Sequence, residues 1–360
     1  MPDKLKREDL VFHFLNVGFG DTCIVQFPED ANGEREYGVI DCYKANKTLA
    51  YLAKLQQRDG LTQEKRLAFV CATHPHYDHI AGISSLLRSA YCPMEFWDSG
   101  FRHKSATYAG ILENVLAQGV NMRRVTSGME GYFGRVRITA LAPSVSLRNR
   151  YATYGVDMNN ASIVLRFEHT SDDAILMRSR EYRGTQSAEA VRDAGRSVVI
   201  LAGDAEYDSW SYVTQEYPQL ERSSEHDPLV KKVVSYLSAA VIKVAHHGSM
   251  HSAPLDLYEK MHPELAIIST KQEQSTRTLR HGDVTRDLFP HRTATLALEE
   301  CGTEILTTDG SYEQTFVPQG GDQDLANPGS IVVAVAPGGR PRRRKLGDTA
   351  DQVPEPPPTE

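Results

Sequence analysis

THPHYDHIAG, residues 73–82, is the stretch on which the reading of this 360-residue chain turns. It sets His74, His76, Asp78 and His79 within six residues, directly after LAFVCAT (67–73). That apolar run has the composition of a strand covered on both faces. The chain therefore leaves a buried strand into a loop, where imidazoles two residues apart can point the same way. Histidine nitrogens bind divalent metals at ~2.0–2.1 Å and carboxylate oxygens at similar range. Four such groups in so short a space supply about half of the ligands that two adjacent ions need.

Three further stretches carry related chemistry. SVVILAGDAE (197–206) ends an apolar run on Gly203 and Asp204, and a carboxylate there can bridge two cations. VIKVAHHGSMHS (241–252) closes another apolar run on His246 and His247, beside Gly248 and Ser249. RHGDVT (280–285) offers His281 and is the weakest of the set, because a lone RHG is usual loop chemistry. Around these motifs, β-rich runs alternate with amphipathic ones. FHFLNV (12–17), TCIVQF (22–27), YGVID (37–41), MEFWDS (94–99), NMRRVT (121–126), VRITALAP (136–143) and ASIVLRFE (161–168) read as strands. LAIIST (265–270), TATLAL (293–298) and TEILTTD (303–309) read as further strands, and SIVVAVAP (330–337) as a last edge strand. Residues 46–57, 80–90 and about 105–117 have helical periodicity, as does LVKKVVSYL (229–237).

Composition narrows the function. With 40 % apolar and 24 % charged residues the chain is of the folded globular type. A net charge of −7 argues against a general electrostatic grip on nucleic acid, but leaves metal-assisted chemistry on phosphodiesters open. The five cysteines, Cys23, Cys42, Cys71, Cys92 and Cys301, contain no CxxC pair, so buried reduced thiols are expected rather than disulfides or thiolate zinc sites. No run approaches the ~18 apolar residues of a membrane span, and the charged start lacks a signal-peptide core. The expectation is a soluble, cytoplasmic protein with no membrane partner. Oligomeric state is not legible.

The motifs, in order, carry a resemblance. HxHxDH followed by a strand-end Asp and a later His resembles the metallo-β-lactamase superfamily. NVGFGD (16–21), VIDCY (39–43), THPHYDHIAG, MNNASIVLRF (158–167), ILAGDAE, IKVAHHGS and RHGD resemble, more narrowly, the soluble hydrolase domain of the ComEC competence family and its stand-alone relatives. The likeness spans roughly residues 11–310. It departs at Phe19, where those relatives carry Gln, at Tyr43 and Ala81, where they carry Gly, and at RHG, which lacks their proline.

The resemblance implies an α/β fold, a metallo-β-lactamase-type four-layer αβ/βα sandwich with its site along one edge of two facing sheets. It implies one hydrolase domain over residues 1–338, with insertions near 171–196 and 205–238. Residues 339–360, rich in Pro and Arg, are expected to be a disordered tail. Two divalent metal ions are implied, with zinc preferred and manganese or iron as alternatives. One ion is assigned to His74, His76 and a histidine of the HHG doublet, His247 favoured over His246. The other is assigned to Asp78, His79 and His281, with Asp204 bridging. Asp21 and Asp41 are placed near the site, where they would accept the free N–H of ligand imidazoles. Cys42, beside Asp41, is expected to point away. Asn160 either holds a loop or donates to a substrate oxygen, and Ser249 is read as turn chemistry before oxyanion binding.

Two such ions lower the pKa of a shared water toward neutrality and neutralise charge on the attacked group. Asp78 would orient the resulting hydroxide. The expected function is a binuclear phosphodiesterase or nuclease-like enzyme acting on a phosphodiester, with nucleic acid or a nucleotide as the substrate partner. One alternative is a hydrolase of a carbonyl ester, thioester or lactone, for which Phe19, Tyr43, Trp97 and Phe101 would supply an apolar rim. The other is a metal-binding scaffold with little turnover.

Overall fold

A computed structural model describes residues 4–154, 157–169, 179–183, 195–218, 220–223, 230–234, 236–252, 254–271, 275–278, 284–287, 289–316 and 323–358. Its strands in chain order begin with β1 (Leu10–Phe14), β2 (Thr22–Gln26), β3 (Tyr37–Cys42), β4 (Phe69–Ala72), β5 (Glu95–Asp98), β6 (Asn121–Arg124), β7 (Glu130–Phe133), β8 (Val136–Ala142), β9 (Val164–His169) and β10 (Ser179–Arg183). They continue with β11 (Val198–Leu201), β12 (Leu220–Ser223), β13 (Val230–Val234), β14 (Val241–Lys243), β15 (Leu265–Ile268), β16 (Ser275–Thr278), β17 (Val284–Asp287), β18 (Glu304–Thr307), β19 (Ile331–Val335) and β20 (Pro341–Lys345). Eight of them form one sheet in the order β20-β19-β1-β2-β3-β4-β5-β6, and seven form a second in the order β18-β15-β14-β11-β9-β8-β7.

Side-chain alternation explains the layers. Leu10, Phe12 and Phe14 of β1 and Phe69 and Cys71 of β4 meet Leu165, Phe167, Val199 and Leu201 from the other sheet in one apolar core. Phe12 and Phe167 touch edge-to-face across it, centroids 5.1 Å apart. The alternate residues Val11, Val39, Val70 and Phe96 face outward, against helices α1 (Ala45–Arg58), α2 (Tyr77–Ile80), α3 (Ile83–Leu87) and α4 (Ala106–Ala117). On the far side Val198, Ile200 and Ile242 pack with Trp210, Val213, Leu257, Met261 and Leu298 of three further helices. Three apolar seams between helix, sheet, sheet and helix make the four-layer αβ/βα sandwich expected from the sequence. No helix among the described residues is long and apolar enough to cross a membrane.

Both sheets contain a parallel block, β3-β4-β5-β6 in the first and β11-β14-β15-β18 in the second. Ligand sites in α/β sheets gather outside the carboxyl ends of such strands. Asp41, the 73–82 loop, Gly203-Asp204 and the HHG turn all sit at those ends.

Five sequence expectations differ from the structure, the first being that β19 is no edge strand, since β20 pairs outside it. TATLAL is not a strand but lies in the helix Arg292–Glu300. His291 caps it, accepting the Thr293 N–H, and Ala294, Ala297 and Leu298 bury one helical face, a spacing that outweighs the threonines. LVKKVVSYL is not helical where it is described. Val230–Val234 is the central strand of a small sheet, β10-β13-β12, in keeping with its β-branched residues. The stretch from 205 is not merely inserted material, since Tyr207–Glu216 is a helix that buries Trp210 and Val213 in the outer seam. Residues 339–358 are not a disordered tail. Pro341–Lys345 pairs antiparallel with β19, the Lys345 ammonium meets Glu313 at 2.9 Å in a buried pair, and Arg342 pairs with Asp9. Most of 171–196 lies outside the described residues.

Candidate metal centre

The centre is built on a chain of hydrogen bonds that fixes which nitrogen of each histidine is bare. Asp41, next to last in β3, has a left-handed backbone, φ +56°, which aspartate tolerates better than most residues. That turn aims its carboxylate at the neighbouring strand end. Asp41 accepts from the Thr73 N–H at 2.8 Å, the Thr73 hydroxyl at 2.7 Å and His79 Nδ1 at 2.7 Å. With its proton committed to Asp41, the Thr73 oxygen is left to accept from His74 Nδ1 at 3.2 Å. His247 Nδ1 in turn donates to the Ser269 carbonyl at 2.7 Å. In the neutral tautomers these partners select, His74 and His247 each turn a lone pair outward from Nε2, and His79 would do the same once its Nε2 proton is displaced.

Those lone pairs face one another and carboxylates. His74 Nε2 lies 3.0 Å from His76 Nδ1 and 3.7 Å from Asp204 Oδ2. His79 Nε2 lies 3.2 Å from Asp204 Oδ2 and 3.8 Å from Asp78 Oδ2. His247 Nε2 lies 3.2 Å from Asp78 Oδ2. Acceptor facing acceptor at this range is repulsive unless a proton or a cation stands between them. His79 Nε2, Asp204 Oδ1 and Asp21 Oδ1 are buried without any hydrogen-bond partner. Ligand atoms of Asp21, His79, Asp204 and His247 all lie within 4.8 Å of one another, a grouping that can hold a metal ion.

Electrostatics point the same way. Burial drives the His74 imidazole well below its ordinary pKa, so it stands neutral and able to ligate. His79 differs: burial opposes protonation, but the carboxylates of Asp204 and Asp41 outweigh it and hold the ring well above its ordinary value, so without a cation its Nε2 carries a proton toward Asp204 that a metal ion would replace. Lys243, buried at the end of β14, pairs with Asp21 and supplies a fixed positive charge. Against it stand the carboxylates of Asp21, Asp41, Asp78 and Asp204. That leaves a surplus of negative charge in a buried place, which is costly without bound cations.

Close approach depends on two glycines. At Gly203, φ +53°, a Cβ would lie 3.1 Å from the side chains of Ser162 and Thr73, so only glycine brings Asp204 in. At Gly20 a Cβ would lie 2.5 Å from the Tyr43 ring and 2.8 Å from the Asp78 carbonyl. The Asp21 N–H donates to that same carbonyl at 3.0 Å, which brings loop 16–21 onto the 73–82 loop.

Of the residues singled out in the sequence, His74, His76, Asp78, His79, Asp204, His247, Asp41 and Asp21 come together here. Asp21 sits within the ligand group itself rather than merely behind it. His247 does not join His74 and His76; its Nε2 faces Asp78. His246 turns the other way, because the HHG turn holds both histidines left-handed, φ +46° and +52°. Its Nδ1 lies 2.9 Å from Glu206 Oε1, and the Asn159 amide donates to that oxygen at 3.1 Å. His281 lies outside the described residues. Asn160 holds a loop, its Oδ1 accepting the Ser209 N–H at 3.0 Å. Ser249 serves the turn, accepting from the His251 N–H at 3.3 Å.

Cys42 points into the helix-side core, its Sγ donating to Thr48 Oγ1 at 3.4 Å, and the cysteines are free. Of the four aromatics expected at the rim, Trp97 and Phe101 are core. Phe19 lies against the His247 ring at 4.4 Å and meets Phe289 at 5.3 Å, while Tyr43 packs on Gly20. The sequence reading missed Thr73, Glu206, Lys243, Ser269 and Phe289. GDAE and IKV carried Glu206 and Lys243 in plain view, whereas a backbone carbonyl such as that of Ser269 leaves no mark on composition.

No family model matches the chain, and no curated protein matches it. Some solved structures resemble it in part. The metallo-β-lactamase fold protein YhfI from Bacillus subtilis is 10% identical, over 83% of this chain and 96% of that one, with a TM-score of 0.42. A diphosphatase from the PhnP family is 11% identical, over 72% and 84%, with a TM-score of 0.35. A long form RNase Z from yeast is 12% identical, over 77% and 40%, with a TM-score of 0.37. The αβ/βα sandwich rests on the chain's own layers and strand order.

Proposed function

We propose that the chain is a metal-dependent hydrolase that binds two divalent ions, zinc foremost, and cleaves phosphodiesters such as those of nucleic acids or nucleotides. The observation that carries it is the set of bare imidazole nitrogens turned onto buried carboxylates with unpartnered oxygens. His74 and His76 would hold one ion, and Asp78, His79 and His247 the other, with Asp204 between them. When bound, such ions supply hydroxide at neutral pH and neutralise charge on the attacked phosphorus.

The protein's own residues do the rest. Asp41 holds the His79 and His74 tautomers, directly and through Thr73. Lys243 holds Asp21. Asp78, the ligand carboxylate with the greatest exposure at 28%, is placed to orient the nucleophile and take its proton. His246, held by Glu206, stands at the rim and can donate to a substrate oxygen. A carbonyl ester or lactone is the second reading, favoured by the apolar wall of Phe19 and Phe289 beside His247.

The test is metal content together with hydrolysis of bis(p-nitrophenyl) phosphate and of p-nitrophenyl acetate. Two ions per chain are expected, with phosphodiester turnover that Asp78→Ala and His247→Ala each lower by at least ~10²-fold, the scale of removing one catalytic or charge-stabilising group. Turnover of the acetate alone would transfer the assignment to esters. A chain that takes up no metal would refute both.

A further inference from the structure

Loop Asn16–Asp21 delivers Phe19 onto His247 and Asp21 into the ligand group, yet it is held from outside the centre. The Asn16 N–H donates to Ser330 Oγ at 3.0 Å, and the Asn16 amide donates to the Asp348 carbonyl at 3.1 Å. The Asn16 carbonyl accepts from Lys47 Nζ at 2.7 Å. Lys47, on α1, places its two other donors on the Asp348 carboxylate and on the Thr349 carbonyl at 2.6 Å, so all three ammonium hydrogens are used. The Asp348 carboxylate accepts as well from the Ser330 N–H and hydroxyl. The Lys47 and Asp348 side chains are 3% and 1% exposed. A Cβ at Gly18 would be 3.8 Å from Ala350, so the segment runs directly under the loop.

Beyond Asp348 the chain continues along α1. Lys44 meets Asp351 at 3.1 Å, Val353 packs into the helix-side core, and Arg58 donates to the Pro357 carbonyl. Pro354 and Pro357 are buried, and prolines with fixed φ reduce the entropy lost when an extended segment docks.

For stability alone an apolar pair would serve as well as a buried ion pair. What Lys47 and Asp348 add is direction, because their hydrogen bonds fix where Asn16 sits. We propose that residues 346–358 act as a clamp in cis on loop Asn16–Asp21, with Lys47 and Asp348 as positioning residues that set the metal affinity of the centre. The claim rests on reading the cluster as a metal centre, and its test keeps the two apart.

Two variants serve. Lys47→Met/Asp348→Leu replaces the pair without leaving a lone buried charge. Asn16→Ala keeps the pair and cuts one of its links to the loop. Each is measured for hydrogen exchange of the 16–21 amides in the metal-free protein, and for zinc affinity by competition with a chromogenic chelator. Exchange in the loop should accelerate in both variants, and zinc should bind about tenfold more weakly in the double variant, the scale of losing a group that orients a ligand. Unchanged exchange and affinity in either folded variant would overturn the clamp. Should the double variant not fold, Asn16→Ala decides. Should the wild type bind no zinc, the metal reading falls and loop exchange alone judges the clamp.

Discussion

Asp41 accepts from three groups at once, and none of them is a metal ligand through the atom it offers. Its role is to commit His79 Nδ1 and, by way of Thr73, His74 Nδ1, so that the opposite nitrogens stay bare. Asp41→Asn would present an amide where the Thr73 hydroxyl and His79 now donate. Metal affinity should drop ~10–100-fold with the fold retained, as read by chelator competition and circular dichroism. Affinity equal to wild type would mean that the histidines are oriented by packing alone. At this scale much was legible. Imidazoles and carboxylates at two-residue spacing after a buried strand mark the cluster by their type. The choice between His246 and His247 was open in the sequence, because it is made by a left-handed turn and by two acceptors, Glu206 and the Ser269 carbonyl, distant along the chain.

Strand β1 illustrates how an element carries a titratable group unseen. His13 lies in it fully buried, with Nδ1 accepting from the Tyr51 hydroxyl of α1 at 2.8 Å and Nε2 donating to Gln26 at 3.3 Å. Burial, aided by the charge of Arg58, lowers its pKa from 6.5 to about 3. Above 6.5 the ring is neutral folded and unfolded and adds no pH dependence. Between 6.5 and about 3 the unfolded chain binds a proton that the folded one refuses. Unfolding free energy should therefore decline by ~1.4 kcal/mol per pH unit from this group as pH falls. His13→Gln should remove that slope, measured as the difference between denaturant titrations of the two proteins from pH 7 to 4. Parallel slopes would show that the ring protonates in place. Elements themselves were legible where the apolar run was unbroken, as in β4 and β11. TATLAL failed because alternating Thr and Ala satisfy a period of two and a helical face alike. LVKKVV failed because its lysines and valines fit a helical face as well as a strand, and what decides is pairing with β12, close in the chain, and with β10, far from it.

Across the whole molecule, the layered architecture followed from motif order. The fate of 339–358 did not, because Arg- and Pro-rich composition describes solvated tails as well as edge strands. What decides is the partner, and Glu313, Asp9 and Lys47 are remote in sequence. The parallel blocks of the two sheets end side by side. Asp41, His74, His76 and His79 leave the first, while Asp204 and His247 leave the second. An ion shared between these groups would act as a rivet through the open edge of the sandwich, joining two halves that elsewhere adhere by an apolar core and a few ion pairs such as Lys243–Asp21 and Lys345–Glu313. Its binding free energy then adds to the cohesion of the halves, up to about 4 kcal/mol per site at a thousandfold excess over the dissociation constant. Titration with a chelator should lower the melting temperature in step with metal loss, and exchange should quicken first at the ends of β4 and β11. A melting temperature indifferent to metal would mean that the sandwich is already closed without its rivet. With the rivet in place, the chain reports its own metal status through its stability, and an apo form would be recognisable to a protease by one loosened edge.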